Sequence, residues 1–368
     1  MKASVCLWLC LLIIFAAGCN RTSKEAPLNI PTEQIDLAKY QEVNFSSLPD
    51  EYVKQKKYVS LEMKDDENYV SLISKVKVMN DKIFILDKRK KILVQYDGNG
   101  KYLGKVGKLK EEYLNIADFD VDDNGNIYII DGKLDRMLVY DTARHLQYVK
   151  KTPFETDILK ALSGGELLLG LSSWNEGDYR GQQVIRTDKQ LEPLEKVLRY
   201  NEYVDDNFWI TGYRFLQVDS LLFYNKPVDN NVYVFSTAGK IKKAYQFNFG
   251  ALNVPDADKK DIEKKVDKYN HYRLLSEFTY VTDKYALGQL WDKRKFRFFY
   301  ADRNRHIVYL QDTAAPNELK SLSDFDGKTL SALIYPGDYD EKAFASLPPD
   351  TKSQLEKGGF VVCKYELN

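Results

Sequence analysis

A repeat with a period of 44 residues is the feature that most limits what this chain can fold into. The segment IFILD at residues 83–87 recurs as IYIID at residues 127–131, and Tyr96-Asp97 recurs at the same shift as Tyr140-Asp141. An alternating segment precedes each copy, so each unit is expected to hold four strands separated by turns. A period of about 40–50 residues with four strands is typical of a β-propeller blade.

Fainter copies of the same unit continue to the C-terminus. They lie at residues 164–170 with 183–188, 221–224 with 232–235, 285–288 with 296–300, and 329–335 with 361–365. The apolar segment at residues 58–61 has no partner in its own unit, and we expect it to close the ring by pairing with the C-terminal strands, which removes a sheet edge. The pattern predicts an all-β fold over residues 51–368, a six-bladed β-propeller with four-stranded blades, with five and seven blades as the alternative counts.

Two segments depart from the strand pattern and predict helices. In residues 256–275, which follow Pro255, four side chains recur at helical spacing: Ile262, Val266, Tyr269 and Arg273. This spacing predicts one amphipathic helix inserted between blades four and five. Residues 353–357 predict a second, short helix that ends at Gly358-Gly359.

The N-terminus predicts export and a lipid anchor. Lys2 precedes an unbroken apolar run at residues 5–17, which is shorter than the about 18 residues of a membrane-spanning helix and fits the core of a signal peptide. The run ends in Ala16-Ala17-Gly18-Cys19, which resembles the cleavage and acylation site of bacterial lipoproteins. We therefore expect residues 1–18 to be a signal peptide, Cys19 to carry lipid, and residues 19–50 to be a tether and lead-in. An ordinary secretory signal is the alternative.

This interpretation accounts for all 4 cysteines without a disulfide. Cys6 and Cys10 leave with the signal peptide, Cys19 is the lipid site, and Cys363 lies in an apolar strand, where a thiol packs as a small hydrophobic group. No later segment is apolar over enough residues to predict a transmembrane span in the mature chain. Lys and Arg number 54 against 54 Asp and Glu, and this balance argues against nucleic acid as a partner.

The second unit carries a family resemblance. Residues 120–131, followed by residues 135–141, are similar to an NHL-type propeller repeat, and the mature chain resembles the six-bladed β-propeller lipoproteins of Bacteroidetes. That family usually has a Gly-Pro turn ending in Glu-Tyr before the second blade. Here Glu112 and Tyr113 match while the Gly and Pro are missing, so a ligand mouth shaped by this turn is expected to differ. The resemblance implies the fold and a location at the outer membrane, on either of its faces.

Residues 120–131 also contain the strongest metal pattern of the sequence. Asp120, Asp122, Asn124 and Asp131 fall at positions 1, 3, 5 and 12 of an EF-hand-like loop, and alternating oxygen ligands around Gly125 suit Ca²⁺. Position 12 is Asp rather than the usual Glu, and strand patterns flank the loop. The alternative is an Asn-Gly hairpin turn in which Asp131 accepts a hydrogen bond from a neighbouring backbone amide. No other cofactor is expected.

The candidate ligand-binding residues lie in polar, loop-like segments: Trp174, Trp209, Arg214, Trp291, Glu112 and Tyr113. Propellers bind ligands at the mouth of the central channel with residues from several blades. Trp and Arg side chains at such a mouth stack on sugar rings or anchor a loop of a partner protein. Packing between blades is the alternative role of each large aromatic residue.

Together these features predict a lipid-anchored, extracytoplasmic propeller that acts as a binding module for a protein, glycan or peptide ligand of the cell envelope. The alternative is a metal-dependent lyase or lactone hydrolase, similar to some NHL-type relatives, with its site in the central channel. Only 3 histidines are present, and no nucleophile motif occurs, which weighs against catalysis. A structural envelope protein without a small ligand is a third interpretation.

Overall fold

The computed structural model describes residues 29–64, 70–202, 213–226, 228–260, 270–293, 295–312, 319, 322–337 and 344–368. The compact unit Pro31–Asn368 contains six sheets. Each sheet has four antiparallel strands that follow one another in space, and two of the sheets carry a fifth strand. This arrangement confirms the predicted six-bladed propeller with four-stranded blades.

The strands follow the chain blade by blade. Three strands precede the first complete blade: β1 (Thr32–Asp36), β2 (Gln41–Phe45) and β3 (Val53–Ser60). Blade one contains β4 (Lys75–Met79), β5 (Lys82–Asp87), β6 (Ile92–Asp97) and β7 (Tyr102–Lys105). Blade two contains β8 (Asp118–Val121), β9 (Ile127–Asp131), β10 (Arg136–Tyr140) and β11 (Leu146–Lys151). Blade three contains β12 (Thr156–Ala161), β13 (Leu167–Leu171), β14 (Gln182–Thr187) and β15 (Pro193–Arg199). Blade four contains β16 (Phe215–Val218), β17 (Leu221–Lys226), β18 (Asn231–Ser236) and β19 (Ile241–Asn248). Blade five contains β20 (Arg273–Val281), β21 (Tyr285–Asp292), β22 (Lys295–Asp302) and β23 (Ile307–Gln311). Blade six contains β24 (Leu322–Phe325), β25 (Thr329–Ile334) and β26 (Val361–Leu367), with β3 as its fourth strand.

The loops divide between two faces of the ring, because neighbouring strands of a blade run antiparallel. We define the upper face as the one that carries the loops from the second to the third strand of each blade and from each fourth strand to the next blade. The lower face carries the turns from the first to the second strand and from the third to the fourth. This division decides which loops of different blades meet.

The N-terminal segment completes blade six and closes the ring. β3 pairs antiparallel with β26, so that Ser60 lies opposite Val361 and Tyr58 lies opposite Cys363. The closing role predicted for residues 58–61 is therefore confirmed. Since the other three strands of this blade come from the C-terminus, opening the ring requires separation of the two ends of the chain.

Two further strands lie in the region that the sequence analysis assigns to the tether and lead-in. β1 pairs in parallel with β19 at the outer edge of blade four, and β2 pairs in parallel with β23 at the outer edge of blade five. Ile35 and Phe45 are buried in these strands. Because each strand offers so few buried apolar residues, its periodicity is too weak to predict it from sequence.

The hydrophobic core lies between the blades. Phe84 of β5 and Phe119 of β8 have ring centroids 6.3 Å apart at the interface of blades one and two. Clusters of the same kind fill the other interfaces around the ring. All residues of β9 and β13 are buried, which agrees with the continuous apolar runs of the sequence and with sheets covered on both faces.

The aspartates of the 44-residue repeat hold loops on the upper face. The Asp131 carboxylate, at the end of β9, accepts hydrogen bonds from the amides of Leu114 at 2.9 Å and Asn115 at 3.2 Å in the loop that enters the same blade. Asp87 accepts the corresponding amides of residues 71–72 in blade one. Each of the two repeats thus places a carboxylate where it accepts hydrogen bonds from backbone amides of a loop. A buried amide without such an acceptor would cost folding free energy.

Helical segments interrupt the ring at the two predicted places. α1 (Asp256–Lys259) begins after Pro255, and residues 261–269 lie outside the described residues. The prediction that this helix reaches residue 275 is wrong, because β20 begins at Arg273. The side chains of Leu274 and Leu275 are both buried there, as in a strand covered on both faces. α2 (Pro349–Glu356) contains most of the predicted second helix.

The N-terminal predictions, residues 1–18 as a signal peptide and Cys19 as a lipid site, lie outside the described residues. None of the helices that are described is long and apolar enough to cross a membrane. Cys363 is fully buried in β26, as predicted.

Candidate functional site

Charged side chains from the first strands of three blades meet in the central channel. Lys75 Nζ on β4 lies 2.8 Å from Asp118 Oδ1 on β8. Asp120, two residues farther along β8, pairs with Lys77 on β4 and with Lys160 on β12, whose Nζ lies 2.6 Å from Asp120 Oδ2. These ion pairs join blades one, two and three around the channel.

Asp120 lies at the centre of this network and is only 2% exposed. Burial alone would raise its pKa, but the ammonium groups of Lys160 and Lys77 hold the pKa of Asp120 well below its usual range. Burial lowers the pKa of Lys160 to about 8, against the attraction of Asp120. Removal of this carboxylate would leave two ammonium groups in the channel without their partner, which is costly in a buried site.

Arg214 reaches across the channel from the start of blade four. Its Nη1 donates to the carbonyl oxygen of Val76 in blade one at 3.3 Å, and its Nε lies 3.7 Å from Glu277 in blade five. The guanidinium also lies 4.7 Å from the centre of the Phe278 ring. Arg214, predicted as a ligand-binding residue, is 7% exposed and links blades on opposite sides of the ring.

The remaining space in the channel is a cavity of about 500 Å³ that reaches the lower turns at Asp81, Asp219 and Asp326. Asp324 of blade six lines it and accepts the amide of Val78 at 2.7 Å, and burial raises the pKa of Asp324. Positive and negative groups alternate along the channel rather than forming a cluster of one sign. Among the residues that the structure describes, no group of three or more His, Cys, Asp or Glu is placed to hold a metal ion.

The residues of the calcium pattern are divided between the two ends of blade two. Asp120 pairs with the channel lysines, while Asp122 accepts the amide of Asn124 at 3.0 Å within the lower turn. Asp131 lies at the other end of β9, a strand that spans about 16 Å. Gly125 has a φ of 84°, the left-handed conformation that this turn requires.

Glu112 and Tyr113 hold the loop between blades one and two. Tyr113 is buried in the cluster that fills the interface of these blades. The Glu112 carboxylate accepts a hydrogen bond from the hydroxyl of Tyr140 at 3.0 Å. A Cβ at Gly107 would lie 2.3 Å from that hydroxyl, so only glycine permits this close approach.

The tryptophan candidates have different settings. Trp209 lies outside the described residues. Trp291 packs on Phe296 of the neighbouring strand, with ring centroids 5.0 Å apart. Trp174, by contrast, lines a cleft of about 350 Å³ on the upper face.

We call this feature the Trp174 cleft, and loops of blades one, two and three form it. Glu155 and Trp174 lie at its rim, and its inner wall contains Asp131, Thr156, Asp157 and Ser172. The structure therefore groups Trp174 and Asp131 from the sequence predictions with acidic and hydroxyl residues that the sequence analysis did not select.

Hydrogen bonds fix the Trp174 loop in place. The indole Nε1 of Trp174 donates to the carboxylate of Glu155. The neighbouring side chain, Asn175, accepts the Glu155 amide and donates to the Glu155 carbonyl, both at 2.8 Å. A ring held in this way needs little further ordering when a ligand binds.

Two buried hydroxyl groups beside the cleft, Thr156 Oγ1 and Ser172 Oγ, have no hydrogen-bond partner among the residues that the structure describes. Thr156 is 7% exposed and Ser172 is 1% exposed. A buried hydroxyl without a partner costs about 1–3 kcal/mol, and native proteins satisfy most such groups.

We expect the double substitution Thr156→Val and Ser172→Ala to stabilise the protein by about 1–2 kcal/mol, because it removes two hydroxyls that lack partners. Chemical unfolding of the ligand-free protein measures this change. Ser163→Ala is the matched control, since the Ser163 hydroxyl donates to Asp123 at 2.8 Å and its removal offers no such gain. A double variant less stable than the wild type would contradict this account of the two hydroxyls.

Of the residues around the cleft, the sequence predicted Trp174 as a ligand-binding residue and Asp131 as a metal ligand, and the other lining residues were missed. Thr156 and Ser172 lie at the ends of two paired strands, β12 and β13, and only the fold brings the ends together. The one available indication was the polar start of β12, TD, before an otherwise mainly apolar strand.

Comparisons with known proteins agree with this fold. A family described as a domain of unknown function, DUF4934, matches residues 32–356. A candidate exported protein from Bacteroides fragilis has a similar structure, with a TM-score of 0.71 and 16% identity over 92% of this chain and 99% of that one. A DUF4221 member from Bacteroides vulgatus has a TM-score of 0.50 and 10% identity, over 86% and 97% of the two chains. Virginiamycin B lyase from Staphylococcus aureus has a TM-score of 0.45 and 9% identity, over 85% and 99%. No curated protein matches the chain. At these identities the structural likeness shows the fold alone.

Proposed function

This chain belongs to the DUF4934 family, a domain of unknown function, and we propose its role from the geometry of the chain itself. The protein is a lipid-anchored propeller of the cell envelope that binds a protein, glycan or peptide ligand in the Trp174 cleft. The observation that carries this proposal is the cleft itself, an open volume of about 350 Å³ that loops of three blades surround, with the partly exposed side chain of Trp174 at its rim. A ligand in this cleft contacts the indole of Trp174.

The cleft supports binding better than the central channel does. In the channel the charged groups already pair with one another, as Asp120 does with Lys77 and Lys160. In the cleft an aromatic ring and acidic side chains surround an open volume, and such a combination of an apolar surface with a few polar groups is typical of ligand sites. The upper loops of a propeller also place residues from several blades within reach of one ligand.

Substitution of Trp174 tests the binding proposal. We expect Trp174→Ala to weaken the binding of envelope-derived glycan or peptide fractions about tenfold or more, because aromatic anchors carry much of the energy of such contacts. Calorimetric titration of each fraction into the purified protein measures this effect. Phe296→Ala is the control, because Phe296 is an exposed aromatic residue outside the cleft. Equal affinities of the wild type and Trp174→Ala for every fraction would contradict the proposal.

The proposed location in the envelope rests on the sequence around Cys19 and on the likeness to the candidate exported protein from Bacteroides fragilis. We expect Cys19→Ala to abolish incorporation of labelled palmitate and to move the protein from the membrane fraction to the soluble fraction. Cys10→Ala, a substitution within the predicted signal peptide, is expected to leave labelling intact. Labelling of Cys19→Ala at the wild-type level would contradict the lipid anchor.

A further inference from the structure

The outermost strand of a blade has one backbone edge that can pair with a further strand. In blades four and five this edge is occupied, because β1 pairs in parallel with β19 and β2 pairs in parallel with β23. Tyr245 and Phe247, two of the residues of β19 that lie opposite β1, are buried. The chain itself therefore provides two examples of a strand added to the outer edge of a blade.

The outer strands of the other four blades have no added strand among the residues that the structure describes. These strands are β7, β11, β15 and β3. Three of them carry features that discourage pairing with another chain. β3 has lysines at three of the positions 54–57, β7 has only four residues, and β15 begins with Pro193, which has no amide hydrogen to donate.

The fourth of these strands, β11 in blade two, is different because it exposes apolar side chains. Leu146, Tyr148 and Val149 are 37%, 36% and 42% exposed. They account for three of the eight large apolar side chains that are exposed in the described part of the chain. An apolar strand at the free edge of a sheet is a template for pairing with an extended segment of another protein.

The backbone of β11 also presents hydrogen-bonding groups to such a segment. Thr152, directly after β11, donates its amide hydrogen to the carbonyl oxygen of Asp135 at 2.7 Å. From there the register with β10 is regular, with Lys151 opposite Arg136 and Val149 opposite Leu138. Bonded and non-bonded pairs alternate in an antiparallel ladder, so the N–H and C=O groups of Val149 and Lys151 point away from β10.

The charge of β11 indicates what kind of segment fits. The strand ends in Lys150 and Lys151, and its first four residues are uncharged. The strand pairs at blades four and five provide a comparison, because β1 carries two carboxylates and its partner β19 carries two lysines. Opposite charges on neighbouring strands stabilise their pairing, so carboxylates suit the lysine end of β11.

From these observations we infer that β11 accepts one extended strand of a partner protein. The strand places apolar residues beside Leu146, Tyr148 and Val149 and carboxylates beside Lys150 and Lys151. This interaction surface is the outer edge of blade two, whereas upper loops form the Trp174 cleft, so the inference does not depend on the proposed function. Backbone hydrogen bonds, apolar contact and charge hold the partner strand.

The test uses the full-length mature protein and two peptides, acetyl-Thr-Val-Thr-Val-Glu-Glu-amide and the same peptide with lysines in place of both glutamates. In the parallel direction of β1 and β2, the first peptide places its carboxylates beside the two lysines of β11. We expect the acidic peptide to bind and the basic peptide to bind about tenfold more weakly at low salt. Changes in NMR chemical shift measure both affinities.

Hydrogen exchange of single amides distinguishes an added strand from other modes of binding. The acidic peptide is expected to slow exchange at Val149 and Lys151, whose amides point outward, and to have little effect at Tyr148 and Lys150, whose amides already bond to β10. A peptide that binds in the Trp174 cleft would not produce this alternation along β11.

Three variants complete the test. Val149→Pro removes an outward amide that β10 does not use, and it is expected to abolish binding. Val149→Thr keeps the amide and the branched side chain, so it is the matched control and should bind as the wild type does. Leu146→Glu changes an exposed side chain and is expected to weaken binding of the acidic peptide severalfold, which gives a second measurement if Val149→Pro does not fold.

Several results would overturn the inference. They are equal binding of the two peptides, no binding of the acidic peptide, and binding without slower exchange at Val149 and Lys151. A dimer of this protein that forms through β11 and that Val149→Pro abolishes would assign the edge to a second copy of the chain and would also overturn it.

Discussion

Replacement of Asp120 by Asn is expected to cost about 3–5 kcal/mol of folding free energy, because it leaves the buried ammonium groups of Lys77 and Lys160 without their shared carboxylate. Asn has nearly the same shape as Asp, so the loss reflects charge rather than volume. Chemical unfolding at pH 7 measures it. Asp283→Asn, at an exposed position in the turn after β20, is the matched control and is expected to change stability by less than about 0.5 kcal/mol.

A second substitution and a change of pH sharpen this prediction. Lys160→Met in the Asp120→Asn background is expected to recover part of the lost stability, because it removes one of the two unpaired charges.

The folded-state pKa of Asp120 lies below the pKa of this carboxyl in the unfolded chain. The contribution of Asp120 to stability is therefore fully present above about pH 4 and is lost as the pH falls through the folded-state pKa. The difference between the wild type and Asp120→Asn should therefore shrink in acid. A stability of Asp120→Asn equal to the wild type at pH 7 would contradict the role assigned to this network.

Removal of the closing strand is expected to have the largest effect on the fold. A chain that begins at Leu61 lacks β3, so blade six loses its fourth strand and β26 loses its backbone partner. Val59 is removed with this strand, so Val362, which lies opposite Val59 in the buried cluster at this closure, loses that partner. We expect this chain to show no cooperative unfolding transition and no near-ultraviolet circular dichroism of packed aromatic residues.

A second truncated chain, with fewer residues removed, distinguishes the loss of ring closure from the loss of the other N-terminal residues. A chain that begins at Ser46 lacks β1 and β2, which lie on the outer edges of blades four and five, but it keeps β3. We expect it to unfold cooperatively at a lower temperature than the full chain. Cooperative unfolding of the Leu61 chain at the same temperature as the Ser46 chain would contradict closure by β3.

The blades could be predicted from the sequence because their central strands carry the strongest patterns. In the segments IFILD and IYIID the four residues before the aspartate form a continuous apolar run, since neighbouring blades cover both faces of β5 and β9. Asp87 and Asp131 recur because each accepts hydrogen bonds from the amides of a loop. The unpaired segment at residues 58–61 predicted closure for the same reason, since an apolar strand needs a partner.

The channel lysines of β4 and the start of β20 could not be predicted, because the same local sequence pattern is compatible with two different structures. The segment KVKVM of β4 alternates in the way of a strand with one face in water, yet Lys75 and Lys77 point to carboxylates of blade two in the channel. The residues before β20 had helical spacing, while Leu274 and Leu275 are buried in a strand. The pattern within one segment does not reveal which distant segment will face it.

The Trp174 cleft could not be predicted for the same reason, because it is formed by segments that are distant in the sequence. Trp174 was predicted as a ligand-binding residue from its polar setting after an apolar strand, but Trp291 has a comparable sequence setting and packs on Phe296. What distinguishes Trp174 is its position at the rim of an open cleft that loops of three blades surround and four carboxylates line. That information depends on which loops of blades one to three meet on the upper face.

Hydrogen exchange in the presence of envelope-derived peptide and glycan fractions tests the central claim most directly. A fraction that binds is expected to slow exchange in the loop that enters blade three and in the loop after β13, which hold Glu155 and Trp174, and to leave the lower turns around Asp81 and Asp219 unchanged. Protection confined to the lower turns of the channel, or no protection at the cleft by any fraction that binds, would contradict the assignment of the Trp174 cleft as the ligand site.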